Sequence, residues 1–299
     1  RRRTRRSLPA MHATTRAAVA ARHSAGRAWR AAACQRALSS AAQGLVNVDY
    51  QQQPAGEVAV VTMARNPVNS LSGELINELW GAIRRVEDEG RVNGMVLASS
   101  AKAFSAGLDL SEVYQRDEAH FKRFWLDFEQ LWSTLYLSPL ATVAAIESHA
   151  IAGGSVLALA CDFRVVADSD SLKMGLTEAQ LGMVCPRWLQ TMCARTVGDR
   201  NAEYLLQRGA VINPAEALSY GFVDEAVPKE SVMERALAEL NTLIAVPPRA
   251  RAAHKRQQRA YVSAMAGADS AEELWQDLRS AECRAQLDKA MAGLKGKKK

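Results

Sequence analysis

Ala-Thr-Val-Ala-Ala-Ile-Glu-Ser-His-Ala-Ile-Ala-Gly-Gly-Ser-Val-Leu-Ala-Leu-Ala-Cys-Asp-Phe-Arg-Val-Val-Ala occupies residues 141–167. Its ends, 141–146 and 163–167, are short and almost wholly apolar, which predicts two buried strands. Between them the pair Gly153–Gly154 marks a turn where a strand hands over to a short helix ending at Ala160. Strands too apolar to have a wet face, joined by helices, argue for parallel βαβ units covered by helices.

The same pattern extends outward. Residues 57–63 and 94–99 read as further buried strands. Ser72 starts a helix, with Glu74 in its first turn and Gly90 at its far end, and Leu75, Ile76, Leu79, Trp80, Ile83 and Val86 form its apolar face. A helix over 118–137 stops before Pro139. Beyond Pro186 the strand signal shrinks to 222–227, and helices are expected over 186–197, 199–208, 214–219, 229–244, 248–265 and 271–292. This predicts an α/β core over 45–228 followed by a helical region over 229–299.

The charge is divided in the same way. The chain of 299 residues has 38 Lys plus Arg and 32 Asp plus Glu, a formal net charge of +6. Ten of the basic residues, all arginine, lie in residues 1–44, where there is no acid; the remainder carries 28 basic and 32 acidic residues. The body is therefore mildly acidic, and a nucleic-acid role argued from overall basicity loses its support. Residues 1–44, rich in Arg, Ala and Ser and without a continuous apolar core, are expected to be an organellar transit peptide. A basic arm with an acidic partner is the alternative. Hydrophobic residues at 48% and charged residues at 23% are ordinary for a folded domain. No stretch is long and apolar enough to suggest a membrane span. The five cysteines form no CxxC pair, so neither a disulfide framework nor a structural zinc site is expected.

Three local features are candidates for chemistry. Phe-Ser-Ala-Gly-Leu-Asp-Leu (104–110) is either a plain βα connection with Gly107 at positive φ or part of a site. Gly153 and Gly154 stand at a helix N-terminus, whose unpaired N–H groups suit an oxyanion; tight helix-to-sheet packing is the alternative. In Gly-Leu-Thr-Glu-Ala-Gln-Leu-Gly (175–182) one acid, Glu178, sits in an apolar run, either partly buried with a raised pKa or facing water at a helix start. Other chemistries lack their motifs. There is no GxSxG elbow, no GxGxxG or GxxxxGK[ST] loop, and no metal-ligand spacing among the histidines.

Taken in order, 66–72 (Asn-Pro-Val-Asn-Ser-Leu-Ser), 104–110, Ala-Gly-Gly at 152–154, Cys-Asp-Phe-Arg at 161–164, 175–182, Pro-Arg-Trp-Leu at 186–189 and 214–224 resemble the crotonase (enoyl-CoA hydratase/isomerase) superfamily. Within it the mitochondrial Δ3,Δ2-enoyl-CoA isomerases are most similar. The likeness runs from about Val46 to Pro228 and continues more weakly to the C-terminus.

The resemblance implies a spiral of ββα turns with a helical C-terminal region, assembled as homotrimers or hexamers in the mitochondrial matrix. It implies an acyl-CoA thioester substrate and no cofactor, coenzyme A being part of the substrate. The thioester oxygen would lie between the backbone N–H groups of Leu108 and Gly153, with Ala106, Gly107, Leu108, Asp109, Leu110, Gly154 and Thr177 around the substrate. Lys102 or the basic run 249–259 would meet the CoA phosphates. Hydratases of this family use two glutamates to hold a water. The position of the first is Val156 here, and only the second, Glu178, is present. One carboxylate suits a proton shuttle from C2 to C4 better than water addition. The competing expectations are hydratase activity, a non-catalytic CoA-binding scaffold, and RNA binding through Arg249, Arg251, Lys255, Arg256 and Arg259, residues that otherwise read as the solvated face of a helix. Trp125, Trp132, Trp188 and Trp275 are candidates for the acyl pocket.

Overall fold

The computed structural model describes residues 44–296, which form one compact unit from Gly44 onward. The transit segment expected over 1–44 lies outside the described residues, apart from Gly44. The main sheet has six strands: β1 (Val46–Gln53), β2 (Gly56–Met63), β3 (Gly94–Ser99), β4 (Ala141–Ile146), β6 (Phe163–Ala167) and β8 (Glu225–Val227), adjacent in that order. Only β1 and β2 pair antiparallel; the other neighbours are parallel. β2, β3, β4 and β6 are almost completely buried, as their unbroken apolar composition requires.

A second, shorter ladder lies beyond the C-terminal ends of these strands. β5 (Ala150–Ile151) pairs with β7 (Met174–Gly175), and single bridges join Leu71 to Leu108 and Ser105 to Ala150. β2, β3, β4 and β6 thus each run on, within several residues, into a rung of the second ladder. Helices follow directly from two of these rungs: α1 (Gly73–Asp88) after Leu71, and α3 (Gly153–Ala160) after β5. This is the mixed α/β, ββα spiral architecture expected for the crotonase fold, with helices forming the C-terminal region.

Ser72 caps α1, its side chain accepting the Leu75 N–H at 3.3 Å. Helix α2 (Glu118–Leu137) buries Phe121, Phe124, Trp125, Phe128, Leu131, Trp132 and Leu135. Helices α4 (Arg187–Val197), α5 (Asp199–Arg208) and α6 (Pro214–Tyr220) follow. Helix α7 (Val232–Ile244) packs on β3, β4 and β6, so a C-terminal helix covers the sheet face itself. Helices α8 (Pro248–Ser263), α9 (Ala268–Arg279) and α10 (Ala281–Gly296) complete the chain.

Three local expectations are revised. β1 was not expected because Val-Asn-Val-Asp-Tyr-Gln-Gln-Gln is polar; it forms because the eight-residue antiparallel register with β2 satisfies its backbone at the sheet edge. The helix expected over 271–292 is two helices, broken at Ser280, whose backbone is extended. The strand expected over 222–227 shortens to 225–227, because Phe222 and Val223 donate their N–H groups to Ala217 at the end of α6.

The basic run on α8 departs most from expectation. Arg249 and Arg256 are exposed, but Arg251, Lys255 and Arg259 turn inward. Lys255 Nζ donates to the Leu140 carbonyl and to Asp162, both at 2.8 Å, while Arg259 reaches Asp162 at 3.0 Å and the carbonyls of Tyr136 and Ala160. Arg251 donates to the carbonyls of Asn93 and Pro139. Three of the five cations proposed as a nucleic-acid or phosphate face are thus occupied in fastening α8 to the ends of α2, α3 and the strands. Lys255→Ala, which leaves Asp162 to Arg259 but removes the donor to the buried Leu140 carbonyl, is expected to lower the unfolding free energy by about 1–3 kcal/mol in chemical denaturation.

Candidate active site

The site grows from the closeness of two rungs of the second ladder. Ser105 accepts the Ile151 N–H on its carbonyl at 3.0 Å, and its own N–H donates to the His149 carbonyl at 3.2 Å. Its hydroxyl donates to the Asn69 carbonyl (2.7 Å) and accepts the Gly107 N–H (3.1 Å). Asn69, fully buried, donates in turn to Ser99 Oγ at 2.8 Å and to the Phe104 carbonyl at 3.1 Å. The loop 104–110 is therefore held on both sides. Gly154 must be glycine here: a Cβ would stand 2.5 Å from the Ser105 carbonyl oxygen.

This packing brings two backbone N–H groups together. The bridge between Leu71 and Leu108 uses the Gly107 carbonyl and the Asp109 N–H, so the Leu108 N–H turns the other way. Gly107 takes φ +88°, as its turn requires. Gly153 is the first residue of α3, where the N–H has no helical partner. A Cβ on Gly153 would lie 3.5 Å from Leu108 N, and one on Gly107 would lie 3.3 Å from Gly153 N. Ala152, which aims Gly153, has φ 47° and ψ −118°, a strained conformation for a residue with a Cβ. Nothing in the sequence signals that strain.

These donors face a cavity of ≈ 150 Å³ lined by Ala106, Leu108, Leu110, Gly153, Val156, Thr177 and Glu178, among others. Its remaining walls are apolar: Val113 from the loop after 104–110, Phe121, Trp125 and Phe128 from α2, Leu181, Met183 and Val184 at and after the Glu178 turn, Leu189 from α4 and Leu274 from α9. Glu178 is the single ionisable side chain among the described residues that line it. It opens a short 3₁₀ turn, Glu178–Leu181, so the helix-start reading of its sequence is met in part. The residue as a whole is half-buried, yet its carboxyl is enclosed, and this burial raises its pKa. Its own backbone N–H and the Cys185 thiol, which donates to Oε2 at 3.5 Å, act in the opposite direction.

Not every expected residue reaches the cavity. Ala106, Leu108, Leu110, Gly153, Thr177 and Glu178 line it; Gly107, Asp109 and Gly154 stand behind it. Asp109 caps the turn at Ser111 and pairs with Arg65 at 2.9 Å. Burial alone would raise its pKa, but the Ser111 hydrogen bonds and Arg65 hold it below the usual carboxylate range. His149 is not at the wall, and its Nδ1 accepts the Lys173 N–H at 3.1 Å. Of the four candidate tryptophans only Trp125 lines the cavity; Trp132 and Trp188 stack at 3.9 Å in the core, and Trp275 stacks on Phe121. Cys185 and Glu129 were missed in sequence. Glu129 had a signal, being a carboxylate four residues after Trp125 on the apolar face of α2. No cluster of metal-ligating side chains occurs among the described residues.

An enclosed apolar cavity, two converging main-chain donors and one carboxylate define a site for stabilising an oxyanion while moving a proton. The enoyl-CoA hydratase/isomerase family model matches residues 53–296. The chain is 42% identical over 207 residues to the mitochondrial enoyl-CoA delta isomerase 1 of Mus musculus, covering 69% of this chain and 71% of that protein. A putative enoyl-CoA hydratase of Thermus thermophilus is 36% identical over 194 residues, 62% of this chain and 74% of that one. Among solved structures, human mitochondrial Δ3,Δ2-enoyl-CoA isomerase aligns with TM-score 0.80 at 36% identity, over 85% of this chain and 100% of that one. The chain belongs to the enoyl-CoA hydratase/isomerase, or crotonase, family.

Because Gly154 packs without room, Gly154→Ala is expected to cost about 1–3 kcal/mol in stability. A thermal or denaturant melt of the purified protein measures it.

Proposed function

We propose that this chain is a Δ3,Δ2-enoyl-CoA isomerase, which moves the double bond of a 3-enoyl-CoA to the 2-trans position during oxidation of unsaturated fatty acids. The carrying observation is the single carboxylate in an otherwise apolar cavity: Val156, fully buried in the first turn of α3, stands where the hydratases' first glutamate belongs. Its similarity to the mouse and human isomerases supports the same reading. The hydratase-named relative favours water addition, but a buried valine offers no second group to hold that water.

The geometry supports a two-step proton transfer. The thioester carbonyl oxygen lies between the Leu108 and Gly153 N–H groups. Ionised Glu178 removes a C2 proton, and the electron pair moves through the thioester onto that oxygen to give a dienolate. The two N–H groups bind the dienolate oxygen more strongly than the neutral carbonyl, which lowers the barrier. Protonated Glu178 then returns the proton at C4, and the electrons settle as a C2–C3 double bond. The apolar walls exclude water that would compete for the dienolate or add to the product.

In this reading the substrate brings coenzyme A and the enzyme needs no resident cofactor. Lys102, exposed at the loop before Phe104, is the candidate for the CoA phosphates now that Arg251, Lys255 and Arg259 are engaged elsewhere. Residues 1–44 would address the protein to the mitochondrial matrix; the names of its relatives support the mitochondrion as its location. The region 229–299 would serve assembly into a homotrimer or hexamer.

Purified protein is expected to convert 3-hexenoyl-CoA to its 2-trans isomer with little hydration of a 2-enoyl-CoA. Glu178→Gln should lose on the order of 10²–10⁴-fold in kcat. Full activity in that variant, or hydration faster than isomerisation in the parent protein, would overturn the reading. Since the base must be ionised and burial raises its pKa, kcat should fall as pH drops through a value above the ordinary glutamate range of ~4.3. A kcat–pH profile shows it.

A further inference from the structure

Glu129 is a second buried carboxylate, only 3% exposed, and the proton transfer makes no use of it. It projects from α2 between two groups of cavity-wall residues. Oε1 accepts from Trp188 Nε1 and from Ser270 Oγ, both at 2.6 Å, and Oε2 accepts from the Gly267 N–H at 2.8 Å. Trp125 Nε1 also donates to Ser270 Oγ, at 3.3 Å.

The partners show what this carboxylate does. Gly267 is the N-cap of α9 and has no side chain to cap it; Ser270 lies in the first turn. Glu129 thus supplies from another helix the negative group that an N-terminus favours. Ser270 and Leu274 are four residues apart, so they share one face of α9. Leu274, 6% exposed, is the residue α9 contributes to the cavity, and Phe121, Trp125 and Phe128 on α2 line it as well. The hydrogen bonds that seat the start of α9 therefore also fix how far Leu274 enters the apolar wall.

The geometry points to Glu129 as a positioning residue that sets the acyl-chain limit of the cavity, by docking the N-terminus of α9 so that Leu274 closes the wall formed with α2. This rests on the acyl-CoA reading of the cavity. Each additional methylene that gains burial is worth about fourfold in affinity, so room for two more gives roughly fifteenfold.

Saturated acyl-CoAs of increasing length, titrated against the protein by calorimetry, separate this inference from the isomerase reading because no turnover is needed. In the parent protein affinity should rise with length and then level off. In Glu129→Gln the lost acceptor for the Gly267 N–H frees α9, and the plateau should move to chains longer by about two carbons, with roughly tenfold or more gained for the longer ligands relative to the shorter. Leu274→Ala leaves Glu129 and its partners in place and should shift the plateau in the same direction. A stability loss with an unchanged plateau in Glu129→Gln would reduce the residue to packing and overturn the inference, as would an unchanged plateau in Leu274→Ala. Failure of the parent protein to bind any acyl-CoA would instead overturn the substrate class.

Discussion

The approach of the loop 104–107 to the start of α3 is the contact on which the molecule's chemistry depends. The carbonyl of Ser105 stands so near Gly154 that a methyl group cannot enter, and that nearness brings the Leu108 and Gly153 N–H groups to one place. Both segments belong to short rungs placed just past the ends of buried strands. The parallel sheet therefore determines the separation of the donors, and helix α3 determines the direction of one of them. Strain at Ala152 is tolerated because β5, the Gly175 carbonyl and the first turn of α3 constrain its neighbours on every side.

The burial that builds the site also sets its electrostatics. Main-chain donors are worth little in water, where the solvent competes, and much more in an enclosed apolar cavity. The same enclosure raises the pKa of Glu178, the carboxylate to which the proposed proton transfer is assigned. The buried charged side chains among the described residues have partners instead: Lys255 pairs with Asp162, Arg164 with Asp224, and Glu129 accepts from three uncharged donors. Glu178 differs in having one weak thiol donor and its own backbone, which leaves it available for chemistry.

The helices beyond residue 229 fill roles that their sequences disguise. Four arginines and one lysine spaced along α8 have the look of a solvated face, yet three of the five end on carbonyls and on Asp162, because the helix runs over the strand ends where unpaired acceptors are exposed. Helix α7 covers the sheet, and α9 reaches the cavity. Treating the core and the helical region as separate layers loses this, since a wall of the site comes from a helix that begins ninety residues after Glu178.

Local pattern alone placed the buried strands β2, β3, β4 and β6 and the glycine turn, because an unbroken apolar run has one stable environment and a Gly pair one common use. The order of small motifs was enough to suggest the family and to single out Glu178 and the missing partner at Val156. The polar edge strand β1 was not legible, since its stability comes from β2's backbone and not from its own side chains. The direction of the Leu108 N–H, the strain at Ala152, the enclosure of Glu178 and the entry of Leu274 were decided only in three dimensions. Each depends on a neighbour distant in sequence, and a main-chain donor leaves no trace in the identity of the residue that supplies it.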